Sequence, residues 1–372
     1  MWASVYPPPT LILLAPLAKL PPRAAMTTWT MLILLGIALD LWVLSKMAGL
    51  RSGGAGRDGR SWLLMAGALA AAPVQFGILA GQPGMVAVSL VVLSAYLASP
   101  LPSRIPSEPS RRRRELLGGA LLGIACALKP QVAAPFVLFY LASRRWRVGG
   151  TALCLAAIIT IASVIAMEAT NPGWASAWRD NLAAALEPGS INDRAPGGPY
   201  RDEIIDLQVL TRTLWQHAFT AQVVSAALVA VLIGWYVRAG GLRRHSSPVS
   251  ELLALSSLAA MSLLPVYHRV YDAAVLLFAF AWALQQLEEG RDARRRWVCW
   301  AALLPLAVFL VPFDLLSSVL TRSELAREVS NSWWWHALVV PHYAWGALLI
   351  TLALLWAQHQ QQLRPRFVHQ KT

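Results

Sequence analysis

Apolar runs of bilayer-spanning length, cut at short intervals by clusters of arginine, leave this chain very few folds to choose from. A helix needs about 20 mostly apolar residues to cross the hydrocarbon core of a membrane. Runs close to that length recur at roughly 27–48, 61–80, 83–99, 115–128, 131–142, 148–167, 216–238, 250–264, 271–287, 297–314 and 340–358. Backbone polar groups must be satisfied within each such segment, which helices do unaided. The expected fold class is all-α: a polytopic integral membrane protein with about eleven transmembrane helices, forming a single membrane domain over residues 1–372. Composition agrees, because 14% of the residues are charged and the mean hydropathy is +0.50, whereas soluble domains are about a quarter charged.

A net charge of +13 raises the question of nucleic acid, but the cations form no single patch or stripe. They recur instead between the apolar runs, as the positive-inside rule predicts, so no nucleic-acid partner is expected. Arg51/Arg57/Arg60, Arg104 with Arg111–Arg114, Arg144/Arg145/Arg147, Arg238/Arg243/Arg244, Arg291 with Arg294–Arg296, and Arg364/Arg366/Lys371 fall on one side. With Lys46 they make up 22 of the 32 basic residues, and that side is read as cytoplasmic. The chain is then a multi-pass cell-membrane protein with a cytoplasmic C-terminal tail at 359–372. Its outer pieces are a proline-rich segment at 1–26, a polar, turn-rich loop at 168–215 and a loop at 315–339. This alternation depends on 115–142 being a hairpin rather than one kinked helix, and Lys129-Pro130 supplies the break, since proline cannot donate to the preceding turn.

Seven histidines and three cysteines show no metal-ligand spacing, and no nucleotide-binding glycine pattern is present. No metal and no cofactor are therefore expected. Cys126, Cys154 and Cys299 lie inside apolar runs and read as small packing residues. What remains is polar side chains at three outward turns: Gly81-Gln82-Pro83, Lys129-Pro130 and Pro265-Val266-Tyr267-His268-Arg269-Val270-Tyr271-Asp272. Lys129 either snorkels to the interface or clamps an anion at membrane depth. Gln82 is a hairpin-turn residue or a site residue, and the same choice holds for Tyr267, His268, Arg269 and Asp272. Asp40, mid-run, is a functional candidate or, preferably, the partner of a basic residue on a neighbouring helix. Trp333-Trp334-Trp335 and Trp345 read first as an interfacial aromatic belt and second as a surface for stacking sugar rings.

The order of these elements resembles glycosyltransferase family 87, which holds polyprenol-phosphate-mannose-dependent mannosyltransferases of the GT-C class. Tyr6-Pro7-Pro8-Pro9, then Leu13-Leu14-Ala15-Pro16-Leu17-Ala18-Lys19-Leu20-Pro21 and Trp29, is similar to the family's opening stretch. Gly81-Gln82-Pro83-Gly84 resembles its Gly-Gln turn, and Gly119 to Pro130 its glycine-rich run ending in Lys-Pro. Asp206-Leu207-Gln208-Val209-Leu210-Thr211-Arg212 is similar to a further element in which a small polar residue usually stands at the place of Asp206. Pro265 to Asp272 resembles a late Pro-Tyr…Tyr-Asp element. The resemblance covers about residues 6–290.

It implies a GT-C-like bundle that moves a hexose, mannose first, from a polyprenyl-phosphate donor to a lipid or glycan acceptor outside the cytoplasm. Lys129, Arg212, His268 and Arg269 are then the candidates for binding the donor phosphate, with Gln82, Tyr267 and Asp272 as further site residues. The family's general base is an aspartate on its first outer loop, after one more membrane helix, and by the resemblance it would lie upstream of Met1. This sequence opens at the end of that loop, so no residue here is expected to inherit the role. An N-terminally short and inactive chain is the corresponding expectation. A multispan transporter or lipid flippase is the rival class, and paired discontinuous helices related by an internal repeat would mark it.

Overall fold

A computed structural model describes residues 6–50, 58–100, 108–215, 217–243, 247–289, 293–310 and 332–368. These residues form an all-α, multi-pass membrane bundle whose sheet content is one two-residue ladder. The helices are α1 (Pro8–Ala18), α2 (Pro22–Met47), α3 (Asp58–Ala70), α4 (Ala72–Leu79), α5 (Pro83–Ala98), α6 (Glu108–Leu128), α7 (Pro130–Ala142) and α8 (Trp146–Thr170). They continue with α9 (Trp174–Leu186), α10 (Leu207–Leu214), α11 (Ala218–Arg238), α12 (Pro248–Ser262), α13 (Leu277–Glu289), α14 (Ala293–Ala307) and α15 (His342–Val368). Proline opens several of them, including α2, α5, α7 and α12, because its fixed φ and missing N–H suit a first helical turn.

Within the described residues, each expected run falls on a helix or a pair of helices. Among the described residues, α2, α8, α11 and the segment Val270–Leu287 are long and apolar enough to cross a membrane alone. The run at 61–80 is broken rather than straight: α3 and α4 meet at 58°. Pro73 cannot continue the ladder of α3, and the Gln75 side chain donates back to the carbonyls of Leu69 and Ala70 at 3.0 and 3.4 Å. From Pro8 onward the segment at 1–26 is helical, in α1 and the start of α2, and the loop at 168–215 contains α9 and α10. Met1, the point upstream of which the resemblance puts the base, lies outside the described residues. So do most of 315–339 and residues 369–372 of the tail.

Residues 115–142 form a hairpin. Arg147 Nη1, just past α7, reaches Glu108 Oε1 at 2.8 Å and Glu115 Oε2 at 3.3 Å at the start of α6. Packing of α6 on α8 explains the glycines of the 119–130 run. A Cβ on Gly119 would lie 2.7 Å from the Val148 carbonyl oxygen, and one on Gly123 2.8 Å from that of Ala152. Small residues four apart let two membrane helices touch backbone to backbone.

The middle of the bundle is α5, α12 and α13. Every residue of α12 from Glu251 to Ser262 is buried, and the apolar window of Val270–Leu287 is 83% buried, against 22% for α8 and 17% for α11. These last two therefore line the lipid side. Asp40 corrects an expectation. Its partner among the described residues is not a cation but Ser89 of α5, whose Oγ lies 2.7 Å from Asp40 Oδ2. The described arginines of the clusters sit at helix ends, whereas Asp40 stands in the middle of α2.

Candidate functional site

Three helix breaks meet at one end of the bundle. In the α4–α5 turn, Gly81 takes φ +57°, a conformation that glycine adopts without a Cβ clash. Its carbonyl accepts from Trp29 Nε1 at 2.7 Å. Next to it, Gln82 Oε1 accepts from the Tyr6 hydroxyl at 2.6 Å. In the α6–α7 turn, Pro130 ends the ladder of α6. The Leu128 carbonyl there accepts from Thr10 Oγ1 at 2.7 Å. Tyr6 and Thr10 thus pin the start of α1 to both turns. The third break follows α12: His268–Arg269 (β2) pairs antiparallel with Ile204–Ile205 (β1) and runs into a 3₁₀ turn, Val270–Leu276.

Lys129 crosses to the third break. Its Nζ lies 2.5 Å from Asp272 Oδ1 and 4.4 Å from the centre of the Tyr271 ring. The other oxygen of the same carboxylate, Oδ2, is 3.2 Å from His268 Nδ1 and 3.4 Å from the backbone nitrogen of Arg269. Lys129, His268 and Asp272 are 3%, 0% and 1% exposed, so the charges of Lys129 and Asp272 are kept by mutual pairing rather than by water. The Gly-Gln turn closes the other side. A Cβ on Gly84 would stand 2.7 Å from Asp272 Oδ1 and 3.0 Å from Lys129 Nζ. Only a glycine lets α5 approach this pair so closely.

Arg269 faces away from that pair. Its Nη1 reaches Glu203 Oε2 at 2.7 Å, Nη2 donates to the Ile191 carbonyl at 2.6 Å and Nε donates to the Tyr267 hydroxyl. The Tyr200 ring lies 5.3 Å from the guanidinium. Burial works against the charge of Arg269, yet Tyr267 and Glu203 outweigh it and hold the group above its ordinary value. Burial also pushes the Tyr267 hydroxyl up, and it carries that of Tyr6 to about 12. Lys129 and Arg269 are therefore linked through one carboxylate, Lys129 by its side chain and Arg269 by its backbone.

The long loop is tied to this end by contacts that local spacing did not announce. Arg194 Nε pairs with Asp206 Oδ2 at 2.5 Å, while Asp206 Oδ1 caps α10 by accepting from the Val209 nitrogen at 2.8 Å. A small polar residue would cap equally well, which accounts for aspartate at this position. Arg201 is 1% exposed and donates to the carbonyls of Arg194, Val209 and His336. Lacking a carboxylate among these partners, it is pushed down to about 10 by burial.

Of the sequence candidates, Gln82, Lys129, Tyr267, His268, Arg269 and Asp272 thus gather at these turns. Arg212 does not belong to a turn; it is half-buried in the last turn of α10. Tyr6, Glu203 and Tyr271 were missed. Tyr6 and Tyr271 stood inside quoted motifs, and Glu203 was one acid of a loop rich in both charges. Trp333 and Trp334 are 64% and 45% exposed, as a belt requires, whereas Trp335 is 8% exposed.

The sequence matches the model of glycosyltransferase family 87 over residues 5–266. That stretch begins beside Tyr6, includes the first two turns and stops one residue short of Tyr267. No curated protein matches the chain. Among solved structures it is similar to the apo crystal structure of ArnT from Cupriavidus metallidurans, at 15% identity and a TM-score of 0.42. The match covers 94% of this chain and 65% of that one, so the chain spans less than two thirds of its length.

Proposed function

This chain belongs to glycosyltransferase family 87, and from that premise we propose that it moves a hexose, mannose first, from a polyprenyl-phosphate donor to a lipid or glycan acceptor. The observation that carries the reading is the buried Lys129–Asp272–His268 cluster, built where helix breaks interrupt an apolar bundle. A lipid phosphate presents its charge at just such a depth, where a lysine is otherwise costly.

The transfer asks little covalent work of the protein. The acceptor hydroxyl loses its proton, the sugar passes through an oxocarbenium-like state, and negative charge collects on the departing phosphate. Cations fixed beforehand at that phosphate stabilise the transition state more than the ground state. Lys129 and His268 are the first ligands in this reading. Arg269 serves from the loop side, and Arg212 stands further along the loop on α10. Gln82, held by Tyr6, and the Gly84 contact fix the approach of α5. Three breaks gather at one end of the bundle around one charged cluster, which favours this reading over a transporter with paired discontinuous helices.

The Lys129 end faces outside in this proposal, and the Arg145 end faces the cytoplasm. The test is transfer by the purified protein in lipid nanodiscs, supplied with labelled polyprenyl-phosphate mannose or glucose and a membrane lipid extract. A labelled lipid product that disappears in Lys129→Gln is expected, and donor binding without any product would match the inactive chain that the resemblance implies. Neither transfer nor donor binding with any hexose would overturn the reading.

A further inference from the structure

We propose that His268 is the proton-binding partner of the lipid phosphate: Nε2 is bare in the resting site and takes a proton as the phosphate arrives. The inference rests on the phosphate reading above and goes beyond it by assigning a proton to one atom.

The tautomer follows from the contacts. Asp272 Oδ1 holds Lys129 Nζ at 2.5 Å, so the carboxylate is ionised and can only accept hydrogen bonds. His268 Nδ1, at 3.2 Å from Oδ2, must then carry the hydrogen. In the neutral ring that leaves Nε2 as a lone pair, and this atom is buried with no hydrogen-bond partner among the described residues. A bare nitrogen cannot donate to a phosphate. It becomes a donor only by taking a proton.

Charge counting points the same way. Lys129 and Asp272 cancel, so with a neutral imidazole the cluster offers an anion no net charge. Protonation of Nε2 brings it to +1. The ring itself meets Asp272, and the other titratable groups of these turns, among the described residues, are Tyr271, Arg269 and Tyr267 on its own turn, Lys129 at the start of α7, Glu203 ahead of β1 and Tyr6 before α1. The packed helix α4 brings no titratable side chain, and those of α5, α12 and α13 lie toward the far ends of the helices. Arg269 is taken up by Glu203 and Lys129 by Asp272, so among the described residues the imidazole is the group of this cluster with a bare nitrogen to take the proton.

The reaction balances accordingly. The bond between sugar C1 and the phosphate oxygen breaks with its electron pair left on that oxygen, and C1 bonds to the acceptor oxygen. The phosphate changes from a diester monoanion to a monoester dianion, and the acceptor's hydroxyl proton is released. The proton that Nε2 took up on binding stands opposite the new charge, with Asp272 as the positioning residue that fixes the ring.

The test measures protons taken up on binding at pH 8, by titration calorimetry of the full-length protein in buffers of different ionisation enthalpy. The probe is a short-chain polyprenyl methyl phosphate, a diester with no titrating proton of its own near neutrality. Uptake approaching one proton is expected for the unmodified protein. In His268→Gln, whose amide can donate without taking a proton, uptake should vanish while binding weakens about tenfold. Binding with no uptake by the unmodified protein overturns the proposal, whether or not the variant folds. Undiminished uptake in His268→Gln also overturns it, by moving the proton elsewhere. No binding of the diester, or of the corresponding monoester, overturns the phosphate reading itself and this inference with it. Loss of monoester binding in Lys129→Gln supports that reading independently.

Discussion

At the Arg145 end of the bundle a buried carboxylate is matched one to one, whereas at the Lys129 end a single carboxylate is shared. Glu251, fully buried at the start of α12, receives Arg145 Nη1 at 2.5 Å on one oxygen and Nη2 at 3.0 Å on the other. The Tyr140 ring lies 5.7 Å from the guanidinium, and Tyr236 fastens α11 to α12 through the Ala254 carbonyl at 3.2 Å. Both oxygens and both terminal nitrogens are used, so the two charges answer each other. Asp272 instead divides its oxygens between Lys129 and His268, and the histidine keeps an unpartnered nitrogen. A bidentate arginine pair makes a clamp. A lysine on a flexible stem, sharing its carboxylate with a group that can change charge, makes a place for an anion.

The largest expected effect breaks the clamp. Glu251→Gln leaves the Arg145 guanidinium, only 14% exposed, without a counter-charge, and removing one partner of a buried pair costs about 3–5 kcal/mol. Thermal unfolding in detergent should show a drop of that order, with little change in transfer per folded molecule. If stability survives but transfer is lost, the two ends have been read in reverse.

Lys129→Gln should do the opposite. Transfer should fall by about 10²–10³, the usual loss for one positioned donor at a developing oxyanion, with less loss of stability than Glu251→Gln. Asp272 would still have the imidazole and the Arg269 amide as partners. A Lys129→Gln protein that transfers normally would make this pair a second clamp.

Gly84→Ala probes the shared carboxylate without removing any charge. The new Cβ would press on Asp272 Oδ1 at 2.7 Å, and overpacking of this kind costs about 1–3 kcal/mol. The strain falls on the site geometry, so transfer should drop about tenfold, a loss smaller than that of Lys129→Gln. Activity measured beside a thermal melt decides it. Full activity would mean that the close approach of α5 is incidental.

How far the sequence could lead follows the range of each interaction. Hydropathy is a local sum, so the helices emerged close to their bounds, and Lys129, Gln82 and His268 stood out because helix breakers and polar groups interrupt apolar runs. Pairings across the chain carry no such mark. Glu203 and Arg269 are 66 positions apart, and nothing in either stretch names the other. Aspartate at 206 fulfilled a capping role that the motif gave to a small polar residue. The helix α1 hid behind its prolines, since Pro8 and Pro9 suit a first turn as well as they suit a loop.

Asp40 supplies the smallest effect and the sharpest control, being a buried carboxylate, 2% exposed, that belongs to neither end. A charged carboxylate in the middle of α2 with no cation beside it would cost several kcal/mol. A neutral acid fits the contacts without that cost. Ser89 Oγ lies 2.7 Å from Asp40 Oδ2 and 3.2 Å from the Met85 carbonyl oxygen. With one proton on Oδ2 donated to Ser89, and the Ser89 proton donated to Met85, both contacts are made without a charge, while Oδ1 is buried without a partner among the described residues. Asparagine keeps the size and a donor, and Asp40→Asn should cost less than about 1 kcal/mol, within the range of one ordinary hydrogen bond. The melt of Asp40→Asn should therefore lie close to that of the unmodified protein and well above that of Glu251→Gln. A loss as large as that of Glu251→Gln would mean that Asp40 carries a charge. In that case burial without a cation would no longer separate a neutral helix–helix contact from the ion pairs that mark the two ends.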